Sequence, residues 1–110
     1  MNINGTVKVG KKDYFLNYDI NTLCMMKAQG FNVMKLEEME MDFEVIRDLL
    51  YFGLFRFQKD ISKEEAGDIM SDFIQEGNSI DTVADIIMDA LGKALGMKFN
   101  GEEDEEEGKQ

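Results

Sequence analysis

Three groups of side chains in this sequence have types and spacings that could do chemistry. Asp60, Ser62, Glu64 and Asp68 fall at positions 1, 3, 5 and 9 of a calcium-loop count, where a hard cation finds oxygen ligands. That count needs glycine at position 6 and a bidentate glutamate at position 12, and it meets Glu65 and Ser71 instead. Ser62 and Glu65 are explained as well by a capping box opening a helix. Asp81, Asp85 and Asp89 could pair carboxylates for acid–base work, but their spacing of four puts them along one helix face that reads as solvated. Cys24, between Leu23 and Met25, sits in an apolar setting that predicts a buried, inert thiol. The chain has no histidine and only this one cysteine, which excludes imidazole general bases, zinc clusters and a disulfide framework. It also contains no glycine-rich phosphate loop and no nucleophile-elbow pattern. No catalytic residue, cofactor or metal ligand is therefore assigned, and the chain reads as a non-enzyme.

A fourth group invites an alternative. Asn78-Ser79-Ile80-Asp81-Thr82-Val83, leading into an apolar helix, resembles the Asp-Ser-Leu segment of acyl carrier proteins, whose serine bears a phosphopantetheine arm at a helix start. Carrier proteins place two more helices beyond this segment, whereas here asparagine replaces the aspartate and one helix remains. A helix-capping serine followed by an acid in the first turn accounts for the same residues.

The elements that must position these groups are bounded by length and charge. One hundred and ten residues, 44% hydrophobic, suffice for one small core, and 23 acids against 12 bases give a net charge of -11. Such a surface repels phosphate backbones and anionic lipid, so neither nucleic acid nor membrane is expected as a partner. No window approaches the roughly 18 apolar residues of a membrane span, and the first residues lack a leader pattern, so a soluble cytoplasmic protein is expected. Residues 101–110 hold six acids and one lysine and read as a disordered tail behind a compact domain of residues 1–100.

Within residues 1–100 the pattern predicts an α+β fold, mostly α-helical, with an N-terminal β-hairpin over 3–18 and about four helices within 19–97. Ile3, Val7 and Val9 can share one strand face and Tyr14, Leu16 and Tyr18 another, joined by a turn at Gly10-Lys11-Lys12. A first helix starts after Asp19 or Asn21 and stops at Gly30. After an irregular link over 31–41, Asp42 caps a second helix reaching about Phe57. Ser62 opens a third with the stripe Ala66, Ile69, Met70, Phe73 and Ile74, ended by Gly77. The fourth runs from Ser79 to Gly96 and carries Ile80, Val83, Ala84, Ile87, Ala90, Leu91, Ala94 and Leu95 on one broad face.

The second helix carries the least ordinary signal. Glu44, Arg47 and Asp48 mark a polar arc, and Tyr51 and Phe55 continue along that same arc where polar residues are expected. Either the helix is covered on all sides, or Tyr51 and Phe55 face a partner. Nine methionines point the same way. Met25, Met26, Met34, Met39 and Met41 could offer an adaptable apolar surface, since thioethers repack easily around varied partners. A helix this apolar in so small a domain also predicts a homo-oligomer.

The order of these features resembles one family. A hairpin containing Asp13-Tyr14-Phe15-Leu16-Asn17-Tyr18, a helix over 20–29, an apolar helix with Leu49-Leu50-Tyr51-Phe52-Gly53-Leu54, a capped helix from Ser62 and a charged tail look like the tail assembly chaperones of long-tailed phages and prophages of Gram-positive bacteria. The resemblance implies a non-enzymatic protein of the host cytoplasm, absent from the mature virion, that coats the aggregation-prone tape measure protein during tail assembly. It further implies a longer form, made by ribosomal frameshifting, that recruits the tail tube protein. An acidic inhibitor mimicking nucleic acid is a third reading, which would need its charges spread over a folded face rather than gathered in a tail.

Overall fold

Tyr18, at the exit of the hairpin, is the largest fully buried side chain and ties the hairpin to the helices in a computed structural model that describes residues 2–97. The acidic segment 101–110 lies outside those residues. Strand β1 (Gly5–Val9) pairs antiparallel with β2 (Lys12–Leu16), with Val7 opposite Tyr14 and Gly5 opposite Leu16. Gly10 at φ 62°, followed by a lysine at negative φ, is the pattern of a two-residue hairpin turn led by glycine. Val7 and Leu16 on one face are buried, β1 packing on the helices of residues 63–75 and 80–95 and β2 on the helix of residues 43–55. The opposite face is partly covered where Phe15 meets Phe57 edge-on, ring centroids 5.9 Å apart.

The expected sharing of a face by Ile3, Val7 and Val9 does not extend to Ile3, which is exposed. The reason is polar. The Asn4 side chain accepts the Tyr18 N–H at 2.8 Å and the Asn4 N–H donates to the Leu16 carbonyl at 2.8 Å, while the Asn17 side chain donates to the Asn2 carbonyl. These bonds clip residues 2–4 beside residues 16–18 without using the Ile3 side chain. Tyr18, expected on a strand face, lies beyond β2 and packs into the helices.

Local chemistry starts each helix. Asp19 caps α1 (Ile20–Ala28), accepting the Thr22 N–H at 2.8 Å, and its carboxylate also lies 3.3 Å from Arg56. The link folds as a 3-10 helix, Val33–Glu38. Asp42 caps α2 (Phe43–Phe55) through the Val45 N–H at 3.0 Å. Ser62 and Glu65 form a reciprocal capping box on α3 (Lys63–Gln75), at 3.1 and 2.9 Å. Ser79 caps α4 (Ile80–Leu95), which ends at Gly96 in the left-handed conformation, φ 67°. The fold is thus α+β and mostly helical, with an N-terminal two-stranded hairpin. Among the described residues no helix is long and apolar enough to cross a membrane.

Helix α2 lies at the centre, with Ile46, Leu49, Leu50, Phe52 and Leu54 buried. Its polar arc is outward at Glu44, as the sequence pattern implies, half-covered at Arg47 and buried at Asp48. Asp48 is only 6% exposed because α3 packs across it. Arg47 donates to its Oδ1 at 2.8 Å and Lys63 stands 3.5 Å from its Oδ2, so the carboxylate is sheltered with its charge satisfied. Cys24 is likewise the reverse of the expectation. It is exposed, because α1 turns Leu23 and Met26 inward and leaves the thiol on its outer side.

The Tyr18 hydroxyl donates to the Leu49 carbonyl at 2.6 Å, and burial pushes its ionisation far above the ordinary phenol range. The folded state therefore holds the proton that the unfolded chain gives up near pH 10, so this contribution is complete below about pH 10 and lost above it. We predict that the wild type loses stability above pH 10 more steeply than Tyr18→Phe, by up to about 1.4 kcal/mol per pH unit. Urea denaturation of both proteins at a series of alkaline pH values checks this, and parallel profiles would refute it.

Candidate partner-binding surface

Tyr51 and Phe55 follow neither of the two alternatives set by the sequence. Both are half-buried. Tyr51 meets Phe52 edge-on at 5.3 Å and Phe55 at 6.2 Å, and the Lys63 ammonium lies 5.9 Å from its ring. These contacts put Tyr51 at the margin of the packing between α2 and α3, with Phe55 stacked beside it on α2.

The methionines do not act as one surface either. Met26 is fully buried, which corrects its expected role: it lies on the inward side of α1, three residues from Leu23, and cannot reach a partner while the helix is docked. Met25 and Met39 are half-buried against the core. Met34, on the 3-10 helix, is 66% exposed, and Met41 is exposed beside α2.

Met41 lies next to an open apolar region at the start of α2. Phe43, the first residue of α2, is 72% exposed and forms one lip of a groove of about 420 Å³ whose floor and far side are Met70, Ile74 and Ile80. A smaller apolar cleft of about 80 Å³, lined by Met41, Ile46, Leu49, Ala84, Ile87 and Met88, lies beside it along α4. Ile80, Ala84 and Met88 are spaced by four and form a single half-buried row on α4 that borders both spaces. Glu44 lines the groove, and the exposed Asp81 and Asp85 directly follow Ile80 and Ala84 along α4. Arg47, which also lines the groove, is held by Asp48.

The groups with possible chemistry are occupied by helix capping or exposed. The Ser79 hydroxyl accepts the Thr82 N–H at 3.2 Å and lies 3.1 Å from the Thr82 hydroxyl, as a cap does. Asp81, Asp85 and Asp89 are exposed, Asp89 pairing with Lys93 at 3.1 Å. Ser62 and Glu65 are engaged with each other, and no group of three acids or thiols that could hold a metal ion occurs among the described residues.

A family model described as Domain of unknown function (DUF5055) matches residues 1–107. The chain belongs to the DUF5055 family. No curated protein and no solved structure matches it.

In this DUF5055 chain the residue that sequence reasoning missed is Phe43. Its signal was present, since a phenylalanine directly after the Asp42 cap occupies a first-turn position where acids or polar residues are usual. Helical periodicity alone placed Ile74, Ile80 and Ala84 on core-facing stripes. In the fold these stripes run past the edge of the covered region, which leaves their outer members facing the groove.

Proposed function

We propose that this chain is a phage tail assembly chaperone, a non-enzymatic binder that keeps the tape measure protein soluble in the host cytoplasm until tail tube subunits replace it. The observation that carries the reading is the open apolar groove at Phe43, set in acidic helices of a chain whose net charge is -11. An apolar surface binds exposed apolar segments of a client, while the surrounding negative charge keeps the complex from self-associating. The order of hairpin, capped helices and charged tail, which resembles that family, supplies the identity of the client. The frameshifted form that meets the tail tube protein follows from the same resemblance.

Co-expression tests the proposal. A tape measure protein, which this reading expects to be encoded beside the chain, should be insoluble alone and soluble with it. Phe43→Ser should reduce the soluble fraction several-fold while leaving circular dichroism unchanged, because this side chain contributes little buried area. A client that stays insoluble beside the wild-type chain would end the reading.

A further inference from the structure

We infer that the occupant of the Phe43 groove is one face of an amphipathic helix with basic flanks, supplied by the client. This rests on the chaperone reading and specifies the chemistry of the segment that the chaperone takes.

The shape argues for a helix. The Ile80, Ala84 and Met88 row spans two turns of α4, about 12 Å, which is the length covered by side chains at i, i+4 and i+8 of a facing helix. Phe43 and Met41 border the two halves of that row from the opposite side. Apart from Met41 the lining comes from helices, whose backbone donors and acceptors beyond the first turns are already paired. An extended segment lying there would leave its own amides and carbonyls without partners, whereas a helix satisfies its backbone internally and offers only side chains.

The charge decides between occupants. Glu44 lines the groove, Glu40 and Asp42 flank Met41, the exposed Asp81 and Asp85 directly follow Ile80 and Ala84 on α4, and Arg47 in the lining is already paired with Asp48, so the rim is negative. A second copy of this chain would bring like charge to like, at a cost that grows as the surfaces approach. Lysine or arginine flanking an apolar stripe would instead meet opposite charge at the rim and leave the apolar residues to fill the floor.

Three synthetic peptides of about 18 residues, a length at which helices begin to persist, test this against the full chain by fluorescence anisotropy. The first carries leucine at helical spacing with lysine flanks, the second the same leucines with glutamate flanks, and the third the first composition scrambled. The lysine peptide should bind, weaken as salt is raised, and exceed both others by about tenfold or more. Phe43→Ser and Asp85→Lys, both at exposed positions, should each weaken it several-fold. Ile20→Ser, which removes an apolar residue that is 63% exposed on α1, should not.

Equal binding of the glutamate or scrambled peptide, or indifference to Asp85→Lys, would overturn the inference. So would light scattering showing that Phe43→Ser dissolves a dimer instead of a peptide complex. The two readings fail separately. If wild type, Phe43→Ser and Asp85→Lys all keep the tape measure protein soluble and the lysine peptide does not bind, the groove inference falls and the chaperone reading stands. If the peptide binds as expected and the tape measure protein still precipitates, the chaperone reading falls and the groove retains its helix-binding chemistry.

Discussion

Gly53→Ala should lower stability by about 3 kcal/mol, the upper part of the usual range for forcing extra volume into a packed interior. A Cβ at position 53 would stand 2.6 Å from both Cζ and the hydroxyl oxygen of Tyr18. The ring cannot withdraw, because it is fully buried and its hydroxyl is bonded to the Leu49 carbonyl at 2.6 Å. The backbone cannot easily move either. Gly53 lies in the last turn of α2, where carbonyls lose their intrahelical partners, and its carbonyl accepts the Asn17 N–H at 2.9 Å. The sign is what makes the test sharp. At an exposed helical position the same change would stabilise by nearly 1 kcal/mol, because alanine is the better helix former. Urea denaturation that shows a gain would mean that the hairpin exit does not lie on α2 as described. Tyr18→Leu should relieve part of the clash, so the double variant should lose less than the two single losses together.

Tyr51→Ser combined with Phe55→Ser should also cost about 3 kcal/mol, since each half-buried aromatic contributes roughly half of the 3–5 kcal/mol of a fully buried one and the two pack on each other. The sequence pattern alone offered several kcal/mol for a core pair or almost nothing for an exposed one. The expected result lies between because Phe52 and Lys63 cover one side of Tyr51 and leave the rest wet. Thermal denaturation followed by circular dichroism reads the loss. The folded variant should still bind the lysine peptide, as neither residue lines the Phe43 groove. Unchanged stability would mean that Tyr51 and Phe55 do not pack on each other and on Phe52 as described. A folded variant that no longer binds would move the client surface to this face.

What the sequence determined by itself is the order and type of the strands and α-helices and where the capped helices begin, and it did so wherever the deciding interaction spans a few residues. Asp19, Asp42, Ser62 and Ser79 each accept an amide three residues ahead, and Ser62 with Glu65 closes a reciprocal pair. These are local bonds that residue type and spacing specify without reference to the rest of the chain. The fold class follows, because a turn at Gly10 between two alternating segments and four capped helical segments leave little choice of elements. Tertiary structure decided which side of each element is covered. Asp48 reads as outward from its own helix and is buried, because Lys63, fifteen residues away, arrives to share its charge with Arg47. Met26 is core and Cys24 is not, although both lie in one apolar run. Phe43 stands open because α3 and α4 cross α2 beside its first turn without closing over it, leaving the groove. Periodicity records that a helix has an apolar side. How far a distant helix reaches across that side depends on crossing geometry and on close approaches such as Tyr18 on Gly53, which join residues 35 positions apart in the sequence.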